Sequence, residues 1–145
     1  MDPLSITASA ASLLGVCLKV SVELKKFRQG AAGARTTVTA MLSDVKALRD
    51  VLQSMEDTFE ILDSQPATGH IGAHWTNLSR SLQEGRGTLE QLEELLQGVN
   101  KDVSLLDSAR LHIRVKSVAE QIANFRQQVQ TYKDAMQLSL QTIIL

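Results

Sequence analysis

Apolar residues recur along this chain in alternating steps of three and four, and four separate stretches keep that rhythm. The first stretch places Ile6, Ala10, Leu13, Cys17, Val20, Leu24 and Phe27 in line. The second gives Val38, Met41, Val45, Leu48, Leu52, Met55, Phe59 and Leu62, with no charge on the seam. Trp75, Leu78, Leu82, Gly85, Leu89, Leu92, Leu96 and Val99 make the third, in which Gly85 is the one missing side chain. The fourth runs Leu111, Val115, Val118, Ile122, Phe125, Val129, Tyr132, Met136, Ser139 and Ile143. A repeat of 3.5 residues keeps one seam of a helix turned toward a partner helix, so each stretch predicts a long amphipathic helix.

Glycine, proline and capping residues collect in three breaks between these stretches, at Gln29–Arg35, Ser64–Ala73 and Gly98–Ser104. The predicted helices therefore cover about 3–29, 36–63 and 73–99, with the last starting at Val103 or Asp107 and running to the end. An overhanging last helix and a short extra turn at Lys101–Asp107 both fit the pattern. Connections of roughly seven to ten residues set consecutive helices antiparallel, so the expected fold is all-α, an antiparallel up-down four-helix bundle forming one domain over residues 1–145. The apolar ending Leu140–Leu145 reads as a helix that continues, which makes this stretch the expected N-terminal part of a longer multidomain protein.

The first helix departs from ordinary amphipathicity. Asp2 is placed to cap it, Pro3 suits its first position and Gly30 follows its end. Leu4 to Leu18 carries no charge, and a second apolar set at Leu4, Ala8, Ala11, Leu14 or Gly15, Leu18 and Val22 lies outside the seam. A helix without a polar face is buried centrally, shared with another subunit or inserted in lipid. The basic residues follow the apolar run instead of preceding it, which is the wrong order for a secretory signal. The uncharged run, with its Ser and Thr residues, is also shorter than a permanent membrane span. Lys19, Lys25, Lys26, Arg28 and Arg35 face Glu23 alone in the next stretch, a cluster suited to anionic lipid head groups. Arg110, Arg114 and Lys116 form a smaller second group.

Composition narrows the remaining chemistry. With 43% hydrophobic and 21% charged residues the chain is globular in character, and its net charge of -1 with 3% aromatics opposes a nucleic-acid partner. The single cysteine, Cys17, forms no internal disulfide and sits on a packing seam, which fits a cytoplasmic setting. No phosphate-binding glycine loop, no Glu-x-x-His pair and no assembled acid/base pair occurs, and His70, His74 and His112 lack clustered metal-ligand partners. The expectation is a protein that is not an enzyme, with no catalytic, cofactor or metal residues and no small-molecule substrate.

The opening MDPLSITASAASLLGVCLKV, followed by a basic stretch and long heptad helices, resembles the HeLo-like N-terminal domain of fungal STAND or NOD-like receptor proteins. That resemblance implies a helical bundle upstream of nucleotide-binding and repeat modules in the same chain, acting in programmed cell death and innate immunity. It also implies clustering into a homo-oligomer, with relocation from the cytoplasm to the plasma membrane on activation and permeabilisation by the released first helix. The residues matching the family's helix are Leu4, Ile6, Leu13, Leu14, Val16 and Leu18, and Lys19, Lys25, Lys26, Arg28 and Arg35 are the expected contacts to anionic lipid. The competing expectation is an interaction or homo-oligomerisation bundle, an adaptor that uses the same helix against a partner and never meets lipid.

Overall fold

The computed structural model describes residues 3–62 and 72–144, with side chains for 6–31, 33–58 and 75–142. The described residues form four helices: α1 (Pro3–Gly30), α2 (Arg35–Leu62), α3 (Gly72–Leu105) and α4 (Ser108–Ile144). A single 3-10 turn, Ala32–Ala34, joins α1 to α2 and is closed by a 3.1 Å bond from the Ala34 amide to the Ala31 carbonyl. At about 1.5 Å per residue, the 28 residues of α1 span about 42 Å.

The heptad seams are the core. Every seam residue of α1, from Ile6 to Phe27, is fully buried, and so are Val38, Met41, Val45, Leu48, Leu52 and Met55 of α2. From α3 come Trp75, Leu78, Leu82, Leu89, Leu92, Leu96 and Val99. The α4 seam is looser: Val118, Ile122, Val129, Met136 and Ser139 are buried, whereas Leu111, Val115, Phe125 and Tyr132 are half-buried. Phe59, Leu62 and Ile143 have side chains outside the described residues. Gly85 completes the third seam because a side chain there would lie 3.3 Å from Met136 Cε and 3.7 Å from Leu13 Cδ2, where three helices converge.

Consecutive helices run in opposite directions, as expected from the short connections, but their order around the bundle is α1, α2, α4, α3. Gly30 lies against Val103 and Gly85 against Leu13, so α1 and α3 are parallel neighbours. Arg126 of α4 reaches Asp44 of α2 at 2.7 Å, while Val51 and Leu140 share a cleft further along, so α2 and α4 also run parallel. Heptad spacing states that each helix has a partner without stating which.

One predicted break is corrected. Gly98–Ser104 is helical, and α3 continues to Leu105. A glycine inside a helix costs only about 1 kcal/mol relative to alanine, and packing outweighs it here: Val99 is fully buried, Val103 meets Gly30 and Asn100 bonds Glu23. The chain turns instead at Leu106 and Asp107. Asp107 Oδ1 accepts the Arg110 amide at 2.9 Å and so caps α4, as the later of the two expected starts requires. The expected break at 64–73 falls on residues outside those described, except that Gly72 and Ala73 are already helical.

Candidate functional site

Within the described residues, α1 alone is long and apolar enough to cross a membrane, over Ile6–Gly30, and only a third of that stretch is buried in the bundle. The reason is its two apolar faces. One carries the seam and packs on α2 and α3. The other carries Ala8, Ala11, Leu18 and Val22, all exposed, with Leu18 at 50% and Val22 at 51%. Five large apolar side chains are exposed among the described residues, and the other three are Leu105, Ile113 and Leu138.

The six apolar residues singled out in the sequence therefore divide. Ile6, Leu13 and Val16 face the core, Leu14 is half-buried against it, and Leu18 faces outward. Leu4 belongs to α1, with a side chain outside the described residues. Of the basic residues, Lys19, Lys25, Lys26 and Arg35 are exposed and Arg28 is half-buried. Lys26 Nζ stands 3.5 Å from Glu23 Oε1.

A polar clasp holds the second half of α1 to α3. Asn100 Nδ2 donates to the Glu23 carbonyl at 3.1 Å and to Glu23 Oε2 at 2.8 Å. The Glu23 side chain is only 15% exposed, so this amide supplies hydrogen bonding that solvent supplies poorly. Sequence reading missed the clasp because its partners are 77 residues apart. The one cue is a polar residue directly after Val99, the last seam position.

Cys17 is a packing residue. Burial pushes its thiol up to about 12, against smaller opposing effects from Arg49 and from a backbone hydrogen bond. The described residues contain no group of three or more His, Cys, Asp and Glu able to hold a metal ion. An open, mostly apolar groove of about 390 Å³ lies between the α1–α2 connection and the start of α4. Gly30, Ala31 and Gly33 form one wall, and Leu111, His112, Val115 and Lys116 form the other.

The chain matches, over residues 1–145, the family described as pigment biosynthesis cluster protein PigL N-terminal. The chain belongs to the PigL N-terminal family. No curated protein and no solved structure matches it. For this PigL N-terminal domain, the geometry offers one apolar helix packed in a four-helix bundle, with a basic second half and a polar clasp.

Proposed function

We propose that this PigL N-terminal domain is a HeLo-like, non-enzymatic signalling module of the cytoplasm that stores α1 in the bundle. On clustering, it delivers that helix to anionic membranes, which it permeabilises. The observation that carries this reading is the double apolar character of α1, whose seam is held by α2 and α3 while Leu18 and Val22 already face outward. Lys19, Lys25, Lys26, Arg28 and Arg35 follow the apolar half and supply attraction to lipid phosphates. Nucleotide-binding and repeat modules in the same full-length chain would provide the clustering.

A second reading has its own support. Ala8, Ala11, Gly15, Leu18 and Val22 step by 3, 4, 3 and 4, a second heptad seam outside the core. Such a face suits pairing with another copy, and an adaptor would use it without lipid. Vesicle flotation and dye release decide between them when the protein is clustered through a fused oligomerisation tag. Leu18→Glu with Val22→Glu and Lys25→Glu with Lys26→Glu are the variants of choice, because all four positions are exposed and the fold, checked by circular dichroism, is retained. Binding and leakage by the wild type, lost in both variants, support the membrane reading. Clustered wild type that ignores anionic vesicles contradicts it and leaves the adaptor.

A further inference from the structure

The bundle has one strongly basic end. Contacts of Asn100 with Glu23 and of Val103 with Gly30 bring the end of α3 beside the end of α1. The groove that joins Gly30–Gly33 to Ser108–Ala119 brings the start of α4 to the same place. Two basic groups that are about 80 residues apart in sequence thereby meet. Residues 23–35 and 101–116 together contain eight Lys and Arg residues against three carboxylates, Glu23, Asp102 and Asp107. All three carboxylates are already engaged, Glu23 by Lys26 at 3.5 Å, Asp102 by Arg114 at 3.0 Å and Asp107 by Arg110 at 3.7 Å. The whole chain carries a net charge of -1, so the compensating acids lie elsewhere on the bundle.

Large apolar side chains project from this end. Leu105, the last residue of α3, is 78% exposed, and Ile113, in the second turn of α4, is 69% exposed. Cations lie near each along the chain: Lys101 stands one turn before Leu105, and Arg110 and Lys116 stand one turn either side of Ile113. Projecting apolar tips ringed by cations match the interfacial zone of an anionic bilayer, where the tips enter the acyl boundary and the cations meet phosphate.

We infer that the resting bundle docks on anionic membranes through this corner, with Leu105 and Ile113 as apolar anchors and Lys101, Arg110 and Lys116 as phosphate contacts, before α1 leaves the core. The inference rests on the membrane reading above and adds to it an orientation and an order of events. Docking by this end brings the last turn of α1, at Gly30, toward the lipid while its N-terminal half stays in the core.

The test is flotation of the unclustered protein with phosphatidylcholine vesicles containing about 30% phosphatidylserine, alongside vesicles of phosphatidylcholine alone. Wild type is expected to bind the anionic vesicles only. Leu105→Ser with Ile113→Ser, and separately Arg110→Glu with Lys116→Glu, are each expected to weaken partitioning about tenfold or more with unchanged circular dichroism. In a Trp75→Phe background, tryptophan introduced by Ile113→Trp is expected to be quenched by brominated acyl chains. Both double variants binding as wild type, or no quenching at position 113 in the bound protein, overturns the corner. If clustered wild type still binds and leaks in that case, the membrane reading survives. No binding or leakage even when clustered removes both, and an acidic protein partner for this end is then the better account.

Discussion

Cys17 sits at the midpoint of the α1 seam, and its thiol reports directly on whether α1 is packed. A raised folded-state value near 12 against 9.0 for a free thiol keeps the group protonated wherever the bundle is intact. Below about pH 9 both folded and unfolded thiols are protonated, and the group then has no effect on the pH dependence. Between about 9 and 12 only the unfolded chain ionises, so stability falls as pH rises, by up to about 1.4 kcal/mol per unit from this group. Urea unfolding at pH 8, 9 and 10 is expected to show that loss in wild type and a smaller one in Cys17→Ala. Leu13 makes the packing argument at a neighbouring position. Its side chain is fully buried and touches the site where Gly85 lacks one, so Leu13→Ala is expected to lower unfolding free energy by about 2–5 kcal/mol. Equilibrium denaturation measures this, and a loss below 1 kcal/mol would mean that α1 is not an integral core element. Burial of seam residues was legible in the sequence, because period and residue type suffice to place them. The outward direction of Leu18 and Val22 was legible as a second seam, although whether another helix covered them was not.

At the scale of elements, α3 is the informative case. Local punctuation argued for a stop at Gly98, and tertiary contacts at Val99, Asn100 and Val103 carried the helix through it. Gly98→Ala is therefore expected to stabilise the protein by about 1 kcal/mol in thermal or denaturant unfolding, since the added methyl meets only Arg114 Nη2, at 3.6 Å. A destabilisation would contradict helical backbone there. The Asn100–Glu23 clasp makes a second expectation. Asn100→Ala leaves a half-buried carboxylate with Lys26 but without its amide donor, and is expected to lower stability by about 1–3 kcal/mol. Amide exchange in α1 should quicken more than in α2, and clustered protein should leak vesicles faster than wild type. Uniform exchange across all helices would show that the clasp does not control α1 separately. No local pattern could reveal this bond or the α1–α3 pairing behind it, because both depend on the order of helices around the bundle.

For the molecule as a whole, the proposed function assigns storage of α1 to the bundle and its delivery to clustering. Placing α1 beside α2 and α3 buries one apolar face and leaves the other outward, while the chain path gathers eight of the fifteen Lys and Arg residues at one end. The sequence announced each basic group alone, and the antiparallel chain path joined them. The central claim is that clustering moves α1 from the core into lipid. It is tested most directly by Leu14→Trp in a Trp75→Phe background, since Leu14 is half-buried in α1 and its replacement gives one tryptophan on the moving helix. Fluorescence quenching by acyl chains brominated near the bilayer centre is followed with anionic vesicles, before and after clustering. The expected result is little quenching from the docked, unclustered protein and strong quenching, in step with dye release, once it is clustered. Dye release with the introduced tryptophan still unquenched would contradict the account, because the membrane would then be breached without α1.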